Sequence, residues 1–378
     1  MADFLPSYGF RALIAGALLT IAARSNAQGL SEKLLIHGYL TQGYATTSGP
    51  MILGIPNDGT FDYRRAALLL RFKAATNDVF VVQIANRRLG ESEINHHTSE
   101  LQLDWAFYEH NFGENTSIRV GKAPIPMGIS NETRFLGTLL PFYRVPFGFY
   151  QEGGFTSETL DGAVVTHKFN PGSAWLVTGA AFAGEFNYLQ TGAIPATENS
   201  PGQYLVVDGR ARNLFGVQLW LQTPLPGLRV GGGAARRQDE GTISDQISGR
   251  GATRDFWGSV DGSFDRLTAR AEYRNLTFGE GGAKYRTYYG QVGYRILEAL
   301  SITVQRDVTD LDVPTQIGRL ALKYDRDNAI GVSYMFAPNV VGKLELHDAH
   351  GYGDEVVVNY GDPAIHNRYS IASVSVSF

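Results

Sequence analysis

Apolar and polar residues alternate along most of this chain, in segments of about ten residues. In Leu101–Glu109, one face carries Leu101, Leu103, Trp105 and Phe107, and the other carries Gln102, Asp104, Ala106 and Tyr108. Phe215–Gln222 sets Phe215, Val217, Leu219 and Leu221 against Gly216, Gln218, Trp220 and Gln222. In Arg266–Arg274, Leu267, Ala269, Ala271 and Tyr273 alternate with four charged residues and a threonine. Successive side chains of a strand point to opposite faces, so each segment predicts a strand with one wet face and one apolar face. Similar segments span 34–44, 61–74, 79–88, 116–122, 160–169, 174–182, 228–237, 256–263, 285–296, 300–307, 316–324, 329–336, 340–347 and 369–378. The total is about seventeen, and no helical period of useful length appears among them.

The connections alternate in length. Short ones lie at 76–78, 111–115, 170–172, 224–227, 264–265 and 297–299. Long ones lie at about 45–60, 89–99, 123–158, 184–211, 238–253 and 348–366. Short turns on one side and long loops on the other are the mark of an outer-membrane β-barrel, whose strand number is even. Two stretches in 316–347 look like tight turns, Asp325–Asn328 and Ala337–Asn339, but the alternation permits only one. The expected fold is therefore all-β, a closed antiparallel transmembrane β-barrel of sixteen strands, with eighteen as the alternative. A β-sandwich also alternates. Two features favour the barrel. Aromatic residues flank the strands at Tyr39, Tyr44, Phe61, Phe72, Tyr108, Phe169, Phe182, Tyr288, Tyr294, Tyr334 and Phe336, as in an interfacial girdle. The segment Tyr369–Phe378 puts Ala372, Val374, Val376 and Phe378 on one face, as a strand that closes the sheet in lipid must do.

Composition narrows the classes. Charged residues are 19% of the 378, aromatics 12%, and cysteine is absent. That excludes a disulfide scaffold, a thiolate zinc site and a cysteine nucleophile. A net charge of −4 argues against a nucleic-acid partner. Residues 1–27 hold Arg11, a short apolar stretch from Ala12 to Ala23, and Ser25-Asn26-Ala27. This is the pattern of a secretory signal peptide, leaving 28–378 as the barrel domain.

Three pieces carry a resemblance to a known family: Ile36-His37-Gly38-Tyr39-Leu40, the run Ile118-Arg119-Val120-Gly121-Lys122-Ala123-Pro124-Ile125-Pro126-Met127-Gly128, and the terminal Phe378. Over nearly all of 34–378 the chain resembles the trimeric Gram-negative outer-membrane porins, general-diffusion and phosphate-selective. The resemblance implies a passive channel for small hydrophilic solutes in the outer membrane, a homotrimer embedded among lipid and lipopolysaccharide. It implies that the third extracellular loop, 123–158 with Arg134 and Arg144, folds into the lumen and narrows it. Phe378 resembles the signal read by the barrel-assembly machinery. Phosphate-selective members carry a denser basic cluster at the constriction than these two arginines provide.

The candidate chemistry is electrostatic. Taking the polar member of each alternation as lumenal collects Arg65, Arg71, Lys73, Arg87, Arg119, Lys168, Arg266, Arg270, Arg274, Arg295, Arg319, Lys323 and Lys343 against Asp104, Glu272 and Glu345. The expected pore-lining and constriction set is Arg65, Arg71, Arg119, Lys122, Arg134, Arg144, Arg266, Arg270 and Arg274. Rings of Arg and Lys favour anions, so small anionic solutes are the expected cargo. The competing reading is that these arginines pair with loop carboxylates and hold the loops in. No Gly-x-Ser-x-Gly elbow marks a nucleophile, so no catalytic residue and no cofactor are expected. His96-His97, His347 and His350 lack a carboxylate at a matching spacing in the sequence, and no metal ligands are assigned.

Overall fold

A computed structural model describes residues 33–151, 158–194, 203–243, 246–279, 281–315, 318–351 and 365–378. The export segment expected at 1–27 lies outside them. Among the described residues, sixteen antiparallel strands close into one barrel. They are β1 (Leu34–Thr47), β2 (Thr60–Lys73), β3 (Asp78–Leu89), β4 (Gln102–Phe112), β5 (Thr116–Pro124), β6 (Thr159–Phe169), β7 (Leu176–Ile194) and β8 (Gln203–Gln222). Then follow β9 (Leu228–Ile243), β10 (Gln246–Phe264), β11 (Leu267–Phe278), β12 (Lys284–Arg295), β13 (Leu300–Thr315), β14 (Gly318–Ala337), β15 (Val340–Gly351) and β16 (Ile365–Ser377). Each strand pairs with its sequence neighbours, and β16 returns to β1 in register from Tyr39↔Ser377 to Thr47↔Tyr369. Phe378 completes the seam: its backbone N–H and C=O both bond Gly38, at 3.0 Å each. A Cβ on Gly38 would stand 2.4 Å from the Phe378 ring, so the ring occupies the space that a side chain there would take.

The ambiguity at 316–347 resolves physically. Asp325–Asn328 is not a turn but the middle of β14, paired on one side with β13 and on the other with β15. The turn is at 338–339. Asp325 and Asp327 face inward, where a carboxylate is welcome, so polar residues here mimic a turn signal. Several expected loops are also strands. Much of 184–211 and 238–253 belongs to the tall hairpins β7–β8 and β9–β10. These hairpins rise beyond the apolar belt, where neither face needs hydrocarbon, so the alternation fades although the ladder continues.

The outer belt follows the sequence pattern on most strands. Leu219, Leu344, Leu346 and Val374 point outward and are 50–55% exposed. Such a belt suits acyl chains, and a closed sheet leaves no unpaired edge in lipid. No helix among the described residues is long and apolar enough to cross a membrane; the strands do the crossing. Tyr39 and Phe182 are corrections to the expected girdle: both are buried and face inward, at 6% and 4% exposure.

β4 supplies the clearest departure. Gln83 pairs with Trp105, but Ile84 pairs with Leu103, so Asp104 is an extra residue in a β-bulge. A one-residue slip exchanges the faces. Above the bulge Leu103 faces lipid. Below it Trp105, Phe107 and Glu109 turn inward, while Ala106 and Tyr108 turn out. Phe107 joins the buried apolar cluster inside the barrel. Tyr108 packs against the outward Phe80 at 5.2 Å.

Arginine at Leu219 or Val374 should cost about 2–4 kcal/mol near the bilayer midplane. Arginine at the inward Gln222 should leave stability little changed. Urea-dependent folding into lipid vesicles measures both, and equal losses at the two kinds of site would reject the assignment of faces.

Candidate functional site: the constriction

The third long connection leaves the wall at a conformational break. Gly121 has φ +123, and Pro124 and Pro126 cannot donate to a ladder. The base is tied by Ile125 N–H to Glu158 C=O at 2.8 Å. Between these ends the loop crosses the lumen, with a 3₁₀ turn at Asn131–Thr133 and a helical turn, α2, at Phe147–Tyr150 (α1 is Ile94–His97 in the preceding long loop). One side of it is apolar. Ile125, Met127, Leu140, Val145, Phe149 and Tyr150 pack with inward residues of β3 to β12 such as Val81, Phe107, Leu160, Phe182, Trp257 and Tyr289. Tyr143 and Phe147 reach a second cluster with Tyr63, Tyr369 and Ile371 on the opposite wall.

A loop inside a barrel must satisfy its own backbone, and the wall has side chains placed to do so. Arg65 donates to the Tyr143 carbonyl at 2.7 Å, Lys343 to that of Phe142 at 3.0 Å, and Arg274 to that of Phe149 at 2.6 Å. Carboxylates and an amide take the N–H groups. Glu345 accepts from Tyr143 at 2.5 Å, Asp307 from Gly148 at 2.9 Å, Glu272 from Ile129 at 2.9 Å and Gln218 from Gly128 at 2.8 Å. Two of these contacts need glycine. Gly128 has φ +63, and a Cβ there would meet Glu272, Phe149 and Tyr150 within 2.8 Å. A Cβ on Gly148 would stand 2.4 Å from the Thr287 and Thr309 hydroxyls. Glu272 is the hub of this seat. It also accepts from Ser259 and Tyr150 at 2.5 Å and from Tyr289 at 2.8 Å. Burial, with the Glu272 charge beside it, raises the Tyr150 hydroxyl well above its ordinary pKa.

Space remains on both sides of the loop. A cavity of about 870 Å³ opens toward the long loops, lined by Arg87, Asp104, Arg134, Glu158, Tyr188 and Arg212 among others. Within it Arg87 bonds Asp104, meets Glu158 at 3.1 Å, and stacks over the Phe135 ring at 3.7 Å. Burial raises the Glu158 carboxyl above the usual range, against the pull of Arg87. On the short-turn side a cavity of about 340 Å³ is lined by Thr138, Arg266, Thr268, Arg270, Gln291, Arg295, Ser301 and Thr303 among others.

The nine expected pore residues do not form one ring. Arg65 and Arg274 are buried under the loop. Arg274 is clamped on Asp255, with its closest contact at 2.6 Å. Arg119 is paired with Glu109 at 2.8 Å and with Glu132 of the loop at 3.3 Å. Arg134 lies buried 3.9 Å from Glu158. Arg144 donates to the Tyr63 hydroxyl at 3.2 Å. Lys122 is a correction to the expected set: it pairs with the outward Ala106 and with Asp161, so it faces out, at the edge of the larger cavity. Arg270 shares Asp261 with Arg229, at 2.9 and 2.8 Å, and Arg266 lines the smaller cavity. Arg71, beside Lys73, faces inward near the short turns. Arg319 is a correction to the wider lumenal set. It lies near the tip of the β13–β14 hairpin, on Asp312 at 2.7 Å and on the carbonyls of Gly281 and Gly282. The expected acidic count of three is also too low, because Glu109, Asp255, Asp261, Asp307 and Asp327 face the lumen as well. Asp255 and Asp307 stood at or beyond the ends of segments whose faces had been assigned, and Glu109 changed face through the bulge.

No protein-family model matches this chain, and no curated protein matches it in sequence. Solved structures do match in fold. The outer-membrane channel DcaP of Acinetobacter baumannii aligns with TM-score 0.58 at 10% identity, covering 91% of this chain and 97% of that one. The trimer form of in-vitro folded OmpT, an outer membrane protein of Vibrio cholerae, aligns with TM-score 0.56 at 12% identity, covering 91% and 99%. An anion-selective porin from Comamonas acidovorans aligns with TM-score 0.54 at 9% identity, covering 91% and 99%. The fold is that of the outer-membrane porins. A closed barrel with this apolar belt suits a lipid bilayer.

Proposed function

We propose that this protein is a porin, a passive channel for small hydrophilic solutes. The observation that carries the reading is a loop held across the lumen by wall side chains, with a polar cavity on each side of it. The fold neighbours named as a channel and as a porin point the same way. Residues 1–27 serve as the export signal, Phe378 as the assembly signal, and lipopolysaccharide surrounds the outer belt. OmpT of this fold has a trimer form, which supports a homotrimer here.

An anion preference rests on the short-turn half of the lumen. There the wall places Arg71, Lys73, Lys168, Arg229 and Arg270 on inward positions, against Asp261 and the Arg119-bound Glu109. Two guanidinium groups share Asp261, so that group of three carries a net positive charge. Charges on a narrow passage act over about 8 Å at physiological salt and about 3 Å at 1 M. In planar bilayers under a salt gradient, the reversal potential should show anion preference. Arg71→Gln with Arg270→Gln should move it toward cations, with a smaller shift near 1 M salt. Absence of conductance would refute the channel, and cation preference in the unmodified protein would refute the anion reading.

A further inference from the structure

The outer face of the barrel carries a cluster that transport does not use. Leu344 and Leu346 face outward in the apolar belt. Further up the same face of β15 stand Asp348 and His350, and β16 presents Arg368 and His366 beside them. His350 and His366 are direct cross-strand partners, and their rings stack at 3.9 Å with planes 9° apart. His366 Nε2 lies 2.8 Å from Oδ1 of Asp348, and His350 Nε2 lies 3.7 Å from Oδ2. One ligand atom from each of the three residues lies within 4.8 Å of the others.

We propose that Asp348, His350 and His366 bind a divalent transition-metal ion, Zn²⁺ in the first instance, on the long-loop rim of the barrel. Two imidazole nitrogens and a carboxylate oxygen suit Zn²⁺, which takes them at about 2.0–2.2 Å. Mg²⁺ and Ca²⁺ prefer oxygen donors throughout. Ligands of a tetrahedral ion at these lengths stand roughly 3.3 Å apart, so the donor atoms need to close only part of the present separation. The paired strands hold the three backbones in fixed register, while the side chains are exposed enough to turn. Three protein ligands leave a position open to water. Arg368 opposes the ion: its Nε donates to the same Asp348 oxygen at 3.1 Å. It competes for the carboxylate and sets the affinity. Sequence spacing hid the site, because His366 is adjacent to His350 only through the ladder.

The test is calorimetric titration of the full chain, folded in detergent, with ZnCl₂ in millimolar MgCl₂. One Zn²⁺ per chain is expected. His350→Ala with His366→Ala should weaken binding at least tenfold, which is the low end of the loss when even a supporting residue of a metal site is removed, about 10–100-fold. Arg368→Gln should tighten it. His96→Ala with His97→Ala should leave it unchanged, separating this site from the other histidine pair. Heat-dependent gel migration shows whether each variant has closed its barrel. No Zn²⁺ binding, binding that survives loss of His350 and His366, or equal competition by Mg²⁺ would each overturn the proposal.

Discussion

Arg274→Met is expected to destabilise the barrel by about 3–5 kcal/mol, the cost of leaving a buried charge without its partner. Arg274 is fully buried and ties two groups together. Its Nε and Nη2 engage both oxygens of Asp255, and its Nη1 donates to the Phe149 carbonyl at 2.6 Å. Methionine fills much of the volume but strands the Asp255 carboxylate and the loop carbonyl. Arg274→Lys keeps the charge without the planar fork and should fall between the two. Arg274→Met combined with Asp255→Leu should recover much of the loss, because a buried pair is often replaceable by apolar groups. Urea-dependent folding into vesicles measures the series. A single variant within about 1 kcal/mol of the parent would place it among exposed pairs and show that the ion pair is hydrated.

Glu272→Ala is expected to change transport more than any wall arginine does. Four donors converge on this carboxylate, two from the loop and two from the wall, and three of the four bonds are buried. Each buried donor left without an acceptor costs about 1–3 kcal/mol. The loop sheds that cost by leaving its seat, where water can reach the freed groups. Single-channel conductance should rise and become noisy, and liposomes should admit larger neutral sugars. Glu272→Gln keeps one acceptor oxygen and should lie between. Unchanged conductance and exclusion size in Glu272→Ala would mean that the apolar packing of Phe149 and Tyr150 alone seats the loop.

Most of the barrel was legible because lipid and water impose opposite demands on adjacent residues. Leu219 against Gln218 and Ala269 against Arg270 read correctly for that reason. The pattern failed where one demand lapsed. At Asp104 a single inserted residue exchanged the faces of everything below it, and nothing in the local composition announces a bulge. In β14, Asp325 and Asp327 imitated a turn because the lumen accepts carboxylates. The constriction was half legible. That the loop after Lys122 turns inward was an expectation from family resemblance, and the loop does so. Which wall residues hold it was not legible, because Asp307 meets Gly148 across 159 residues and Glu345 meets Tyr143 across 202. Pairing between chain-distant groups leaves no periodic trace. The same blindness applied to His350 and His366, joined only by the register of β15 and β16.

The seam between β1 and β16 also bears on how the protein acquires its fold. Hydroxyls of Thr41 and Ser375, 2.9 Å apart in the finished wall, are separated by 334 residues of chain. Every other seam joins sequence neighbours and can zip locally, but this one must await a search by the two ends of the sheet. The entropic cost of such a closure grows only slowly with length, yet contacts of this separation are what slow folding. Until they form, the nascent sheet has two long edges with unpaired N–H and C=O groups, able to recruit a strand from any neighbouring chain. Closing this seam removes both open edges, and slowing closure at Gly38 or Phe378 should lower yield before it lowers the stability of barrels already closed.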